Sequence, residues 1–177
     1  MLKVLYEDDE ILVVIKPAGV ESQAAKRFAP DMVSEVKKHL VINKSCTPGK
    51  EPYVGVIHRL DKPVSGVMVY AKTKNAAAAL SKQVAEGKMH KKYLAVLCGK
   101  PVDNNGTYVD YLKQDKKNNC SRIVDKSDPD GKRAELEYKG LDCMQTEEKD
   151  PQYLSRVEIK LLTGRHHQIR VQFSGHG

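Results

Sequence analysis

The sequence has few of the residues that usually form stacking surfaces or metal sites. It contains no Trp and only two Phe, so aromatic contacts to a ligand would depend on Tyr, supported by His or Arg. Its four cysteines are scattered, with no CxxC pair and no His at zinc-ligand spacing, which argues against a structural zinc. We interpret the cysteines as reduced, structural thiols and expect no metal.

Long hydrophobic runs are also absent, and the first residues, Met1-Leu2-Lys3-Val4, show no signal-peptide pattern. We therefore expect a cytoplasmic protein that does not contact a membrane. A chain of 177 residues with 40% hydrophobic and 30% charged residues is long enough for one folded domain with its own core. We expect that domain to cover residues 1–177 and to be monomeric.

What the sequence has in excess is positive charge, with a formal net charge of +7. Such a balance favours a polyanionic partner, although many basic proteins bind none. The basic residues crowd one polar middle segment and recur on the C-terminal elements. Contact with RNA and a merely solvated loop remain equally good explanations of the middle group, which comprises Lys113, Lys116, Lys117, Arg122, Lys126, Lys132 and Arg133.

Hydrophobic periodicity predicts an α+β fold. The apolar, β-branched run from Ile11 to Lys16 favours a buried strand. After Asp31, a good N-cap, one-sided apolar spacing favours a helix. Asn75 is predicted to cap a second helix, Ala76 to Glu86. Most other apolar runs look like hairpin strands, so we expect a mixed, mostly antiparallel sheet with flanking helices.

The sequence HRLDKPVSG, from His58 to Gly66, places ionisable residues between two strand-like runs. Rigid strands that flank a polar loop are a common support for a catalytic group. An Asp before Pro and Gly, however, is more often a turn former than a catalyst. This stretch alone does not distinguish a catalytic Asp61 from a turn-forming one.

A second polar stretch, TGRHHQIRVQ, follows the last predicted strand, and Gly164 permits a sharp break there. We predict that this donor-rich run begins a helix from Arg165 to Phe173. Helix N-termini and guanidinium groups both attract anions, so the start of such a helix could bind one. An amphipathic terminal helix with exposed arginines explains this stretch equally well.

Together, HRLDKPVSG and TGRHHQIRVQ resemble the RluA-type family of RNA pseudouridine synthases. The opening ILVVIKPAG and the intermediate KKYLAVLCG resemble further family segments. The resemblance implies a curved mixed sheet that binds RNA. It also implies an isomerisation of uridine to pseudouridine in ribosomal or transfer RNA, without metal or cofactor.

The resemblance also implies roles for individual residues. Asp61 falls on the catalytic aspartate, Arg170 on the arginine that pairs with it, and Tyr93 on the tyrosine that packs on the target base. Arg59 falls on an arginine that enters the RNA helix as the uridine leaves, and Ile169 on an apolar wall of the pocket. Neighbours in the two motifs complete the expected substrate-binding set, namely His58, Leu60, Arg165 and Gln168.

These residue types suit the implied chemistry. Breaking the glycosidic bond places positive character on the sugar carbon, which a carboxylate can stabilise or attack. A guanidinium such as that of Arg170 favours the ionised form of Asp61 and fixes its rotamer. Whether Asp61 attacks the sugar carbon or removes a sugar proton stays open at this point.

The sequence departs from the family pattern where Gln172 replaces the usual His and Val64 the usual Thr. Relatives usually continue past Gly177, so we expect a form truncated at its C-terminus. We also expect no separate N-terminal RNA-binding domain, because the chain opens close to the first catalytic strand.

Three other functions remain to be weighed. An RNA-binding or RNA-folding factor of the same fold could lack activity. A phosphotransferase is disfavoured, because the chain has no Gly-rich phosphate loop. A metal hydrolase using His166 and His167 is disfavoured too, because neighbours on a helix point about 100° apart.

Overall fold

The computed structural model describes residues 2–24, 30–43, 49–147 and 152–177. Residues 1–88 and 89–177 form two compact units, and the strands divide over two sheets, one in each unit. The α+β class is confirmed. We expected one mixed sheet, but every ladder between the described strands is antiparallel. The single domain over residues 1–177 stays a prediction.

The first unit forms a four-stranded sheet in the order β1-β2-β4-β3. Alternate residues of β2 are buried, as expected for a strand with one face on the core. The core of this unit combines Leu12, Val14, Met68 and Tyr70 of the sheet with Val36. Its elements are β1 (Lys3–Glu7), β2 (Ile11–Lys16), α1 (Met32–Ile42), β3 (Gly55–Val56), β4 (Gly66–Ala71) and α2 (Lys74–Ala85).

The two helices of this unit begin at side-chain caps. Asp31 caps α1 as predicted, because its carboxylate accepts a hydrogen bond from the Ser34 amide. The predicted cap of α2 was wrong by two residues. Thr73, not Asn75, has extended backbone and accepts from the Ala76 amide, so α2 begins at Lys74.

The second unit forms a five-stranded sheet in the order β5-β9-β8-β6-β7. Leu136, Tyr138, Val157 and Ile159 of the sheet form its core together with Phe173. Its elements are β5 (Lys91–Cys98), β6 (Asn105–Asp115), β7 (Cys120–Val124), β8 (Lys132–Gln145), β9 (Tyr153–Leu161) and α3 (Gln168–Gly175).

The predicted start of the terminal helix at Arg165 was wrong. Residue His167, at the N-cap position, has left-handed backbone with φ of 54°, which a regular helix does not contain. The segment before it is a turn closed by the Gln168 amide, which donates to the Arg165 carbonyl. Arg165, His166 and His167 therefore precede α3.

The cysteines differ from the expected structural thiols. Cys98, Cys120 and Cys143 are unpaired but exposed, so they add little to core packing, and Cys46 lies outside the described residues.

Within the described part of the chain, no helix combines the length and the apolar character needed to cross a membrane.

Candidate functional site

The HRLDKPVSG stretch forms a tight turn in the first unit. The Val64 amide donates to the Asp61 carbonyl at 2.9 Å, which closes the turn around Lys62 and Pro63. Asp61 is exposed, whereas the preceding residue, Leu60, is only 8% exposed. The loop thus presents a carboxylate outward on a backbone that is anchored in the core.

The backbone on both sides of Asp61 is bound by the last residue of β2 and by residues that follow it. The Ser22 hydroxyl donates to the Leu60 carbonyl at 2.6 Å and accepts from the Leu60 amide at 3.0 Å. The Lys62 carbonyl accepts from the Gly19 amide at 2.8 Å and from the Lys16 Nζ at 3.2 Å. The backbone of the candidate catalytic residue is therefore fixed from both directions.

Lys16 is a fully buried lysine, which is rare unless the amine is well bonded. Its Nζ donates to three carbonyls, those of Pro17, Val20 and Lys62. Burial lowers the pKa of the Lys16 amine, and the attraction of the Glu21 and Asp61 carboxylates partly opposes that shift. Lys16 thus brings a positive charge within electrostatic range of Asp61.

The other residues predicted in this loop have distinct surroundings. The His58 Nε2 accepts from the Val69 amide of β4 at 3.3 Å, so His58 ties the loop to the sheet. Arg59 is exposed. A Cβ on Gly66 would lie 3.2 Å from the Leu60 Cδ1, so the glycine leaves space for the buried leucine. Contact of His58, Arg59 and Leu60 with a substrate stays a prediction.

In the second unit the structure brings Tyr93 and Ile169 together on one apolar cluster. Both are partly buried and pack against the core that contains Ile159 and Phe173. Tyr93 lies opposite Ile159 in the β5–β9 ladder, and Ile169 lies in the first turn of α3. Strand pairing and helix packing therefore place these two predicted residues on the same core.

A chain of buried amides holds α3 to its sheet. The Gln168 Oε1 accepts from the Thr163 hydroxyl at 2.8 Å and from the Arg165 amide at 2.9 Å. The Gln168 Nε2 donates to the Gln172 Oε1 at 2.9 Å, and the Gln172 Nε2 donates to the Asp110 carboxylate at 2.7 Å. Gln168, predicted to bind substrate, thus orients the helix that carries Arg170.

Two cations lie close together where β9 turns toward α3. Arg165 is exposed and its Nε donates to the Arg133 carbonyl at 2.8 Å. A Cβ on Gly164 would lie 3.2 Å from the Lys91 Nζ. Burial lowers the pKa of Lys91, and repulsion from Arg165 lowers it further. Such a pair is stabilised when an anion binds to it.

Arg170 is exposed on α3. It belongs to the second unit and Asp61 to the first, so their pairing stays a prediction.

His166 and His167 lie before α3 rather than on it, and their rings stack at 3.7 Å between centroids. The reason given against a shared metal, their separation around a helix, was therefore wrong. Among the described residues, no three His, Cys, Asp or Glu side chains are grouped as a metal site requires.

Two residues of the predicted basic segment, Lys113 and Arg133, are paired with acids. Lys113 lies 3.2 Å from Asp128 and 2.9 Å from Asp130, and Arg133 lies 2.5 Å from Glu135. These pairs partly neutralise the charge that the sequence suggested was available to RNA. An RNA contact through the remaining lysines of this segment stays a prediction.

A family model described as RNA pseudouridylate synthase matches residues 10–175. The chain belongs to this family. Ribosomal large subunit pseudouridine synthase D from Zymomonas mobilis is 35% identical over 177 residues, which cover 99% of this chain and 53% of that protein. The uncharacterized RNA pseudouridine synthase YhcT of Bacillus subtilis is 32% identical over 99% of this chain and 54% of its own length.

The chain thus spans about half the length of the curated relatives it matches. Among solved structures, human RNA pseudouridylate synthase domain containing 4 is similar with a TM-score of 0.73 at 22% identity, covering 98% of this chain and 64% of that one. Human RNA pseudouridylate synthase domain containing 1 is similar with a TM-score of 0.71 at 25% identity, covering 99% of this chain and 65% of that one. The first likeness supports the fold alone.

Sequence inspection of this family member missed the residues that hold the motifs. Lys16 was included only as the last residue of a predicted buried strand, and Ser22 lies in a connection to which no role was assigned. Gln172 was noted only as a departure from the family. Lys91 appeared only within the segment KKYLAVLCG, which resembles a family segment. Its closeness to Arg165 depends on tertiary structure, so no signal in the sequence marked it.

Proposed function

We propose that this chain converts uridine to pseudouridine in ribosomal RNA, with Asp61 as the catalytic carboxylate. The bond between the ribose C1′ and N1 of the base breaks, a bond from C1′ to C5 forms, C5 loses its proton and N1 gains one. The atoms balance within the nucleoside, so we propose that no metal or cofactor takes part. The relatives named for the large ribosomal subunit support ribosomal RNA as the target.

The observation that carries this proposal is the setting of Asp61. Exposed Asp61 stands on a turn whose backbone is hydrogen-bonded to buried side chains at Leu60 and at Lys62, in a chain that belongs to a pseudouridylate synthase family. A carboxylate held in place can stabilise the positive character that develops at C1′ without reorganising first. Such preorganisation supports a catalytic role for Asp61.

The second unit supplies groups suited to the base and the backbone of RNA. Tyr93 has a flat ring on which a uracil can stack, and Ile169 on the same apolar cluster would form a wall beside it. Lys91 and Arg165 would bind a phosphate, because an anion relieves their repulsion. We propose that Arg170 pairs with Asp61 and that Arg59 fills the space left when the uridine is extruded.

We further propose that the chain acts as a monomer in the cytoplasm. Light scattering on the purified chain would test the first statement, since a dimer has twice the expected mass. Fractionation of cells that produce the protein would test the second.

The proposed function is tested by tritium release from RNA labelled at C5 of uridine, because the reaction frees that hydrogen. The wild-type chain should release tritium from transcribed large-subunit RNA, and Asp61→Asn should reduce the rate roughly a thousandfold or more. RNA affinity, measured by filter binding, should stay within about threefold of wild type, because the substitution leaves the proposed phosphate contacts in place.

Asp9→Asn is the matched control, since Asp9 is an exposed carboxylate of the same unit, and it should leave the rate unchanged. Retained turnover in Asp61→Asn would reject the mechanism. Release from transfer RNA alone would reject the ribosomal target. Binding without release from any RNA would favour an inactive RNA-binding factor instead.

A further inference from the structure

Ser22 lies in the connection between β2 and α1, far along the chain from Asp61. It is 3% exposed, and its hydroxyl both donates to and accepts from the backbone of Leu60. Paired bonds of this kind normally come from a neighbouring strand, where a backbone amide and carbonyl face another residue. Here one side chain fulfils both functions for the residue that precedes Asp61.

Ser22 is itself held in place by other elements of the first unit. The Tyr70 hydroxyl of β4 donates to the Ser22 carbonyl at 3.4 Å. The preceding residue, Glu21, forms a bridge with Asp31, and its carbonyl accepts from the Met32 amide at 2.9 Å. The Ser22 hydroxyl thus connects a β-strand and the start of α1 to the Leu60 peptide.

Asp61 is exposed, and the backbone on both sides of it is hydrogen-bonded. On its C-terminal side, the Lys62 carbonyl is bound by Gly19 and Lys16. On its N-terminal side, the two bonds at Leu60 come from Ser22. Loss of the hydroxyl would free that side, and the carboxylate could shift while the strands stay paired.

We propose that Ser22 is a positioning residue for the isomerisation, acting through the Leu60 peptide to hold the Asp61 carboxylate in the reactive geometry. This inference rests on the proposed function. Displacement of a catalytic group by about 1 Å can reduce turnover roughly a hundredfold. A residue of this kind affects the chemical step more than the binding of RNA.

The test compares Ser22→Ala, Ser22→Thr and the control Ser81→Ala in the tritium-release assay, with kcat and KM determined separately at a temperature where each variant is fully folded. Ser22→Ala should lower kcat about 10- to 100-fold with KM within about twofold. Ser22→Thr keeps the hydroxyl and should recover most of the loss. Ser81 is an exposed serine on α2 of the same unit, so Ser81→Ala should behave as wild type.

Hydrogen exchange of the Leu60 amide gives a measurement that does not depend on activity. It should be faster in Ser22→Ala than in wild type and close to wild type in Ser22→Thr. An unchanged kcat in Ser22→Ala, or a loss that merely follows the unfolded fraction, would overturn the positioning role while leaving the proposed function intact. A wild-type chain that releases no tritium would overturn the proposed function and this role together.

Discussion

The two units hold their sequence motifs by different kinds of hydrogen bond. In the first unit, the buried side chains of Lys16 and Ser22 bind backbone groups on either side of Asp61. In the second unit, Gln168 and Gln172 bind each other, and Gln172 reaches the Asp110 carboxylate. The first motif is held mainly through its main chain, and the second mainly through the side chains of its own glutamines.

The difference follows from the local structure of each motif. A loop has no ladder to satisfy its amides and carbonyls, so buried loop backbone needs donors and acceptors from elsewhere. A helix satisfies its interior backbone by itself and needs only to be oriented. We therefore expect the loop of the first unit to be more sensitive than α3 to loss of one polar side chain.

The largest effect is expected for Lys16→Met. The change removes the Nζ donor of three part-buried carbonyls, and within the described part of the chain only the Lys62 carbonyl keeps another bond, from the Gly19 amide. We expect the free energy of unfolding to fall by about 3–5 kcal/mol, since each unsatisfied buried group costs about 1–3 kcal/mol. Urea denaturation followed by circular dichroism measures the change.

Lys62→Met is the matched control for that substitution. Lys62 is exposed and lies 3.9 Å from Glu21, so its loss should change the free energy of unfolding by less than about 0.5 kcal/mol. Equal effects of the two substitutions would contradict the view that burial and backbone bonding make Lys16 important.

A smaller effect is expected in the second unit for Gln172→Leu. Leucine has a similar size but cannot donate to Asp110 or accept from Gln168. We expect a loss of about 2 kcal/mol in the free energy of unfolding, measured by the same denaturation. Because each α3 backbone bond remains, the loss should stay below that of Lys16→Met.

Gln172→His sharpens this prediction, because the family that the sequence resembles usually has His at this position. An imidazole N–H can still donate to Asp110, so the histidine variant should lose less stability than the leucine variant. If both variants lost the same amount, the hydrogen bond to Asp110 would not be what holds α3.

The smallest expected effect is the contribution of Asp31, the cap of α1, to the pH dependence of the free energy of unfolding. Burial raises the pKa of this carboxyl, but hydrogen bonds from the Ala24 and Ser34 amides outweigh it, so the pKa lies below its ordinary value. Ionised Asp31 therefore adds stability above the unfolded pKa of about 4, and this contribution disappears as the pH falls through the folded value. Asp31→Asn should remove it.

The Asp31 contribution is measured as the difference in urea midpoint between wild type and Asp31→Asn at several pH values. Wild type should be more stable near pH 7 by about 1 kcal/mol, and the gap should close toward about pH 3. A gap that is independent of pH would show that the charge of Asp31 adds nothing. The residue at the cap position of α3, His167, makes no side-chain cap bond, so no equivalent contribution is expected from that cap.

Elements with a strong local pattern were predictable from the sequence. The strand from Ile11 to Lys16 and the helix after Asp31 lie where periodicity and capping placed them. The start of α3 was not predictable, because the left-handed backbone of His167 is a rare conformation for a non-glycine residue. The cap of α2 was misplaced because Thr73 and Asn75 are both good caps.

The sequence by itself determined the family, since HRLDKPVSG and TGRHHQIRVQ are runs of neighbouring residues that can be recognised without a structure. Only the tertiary structure decided that Ser22 and Lys16 hold the backbone around Asp61, and that Lys91 stands beside Arg165. A motif depends on the order of residues along the chain. A hydrogen bond between Ser22 and Leu60 depends on the packing of β2, β4 and α1, which no short stretch of sequence specifies.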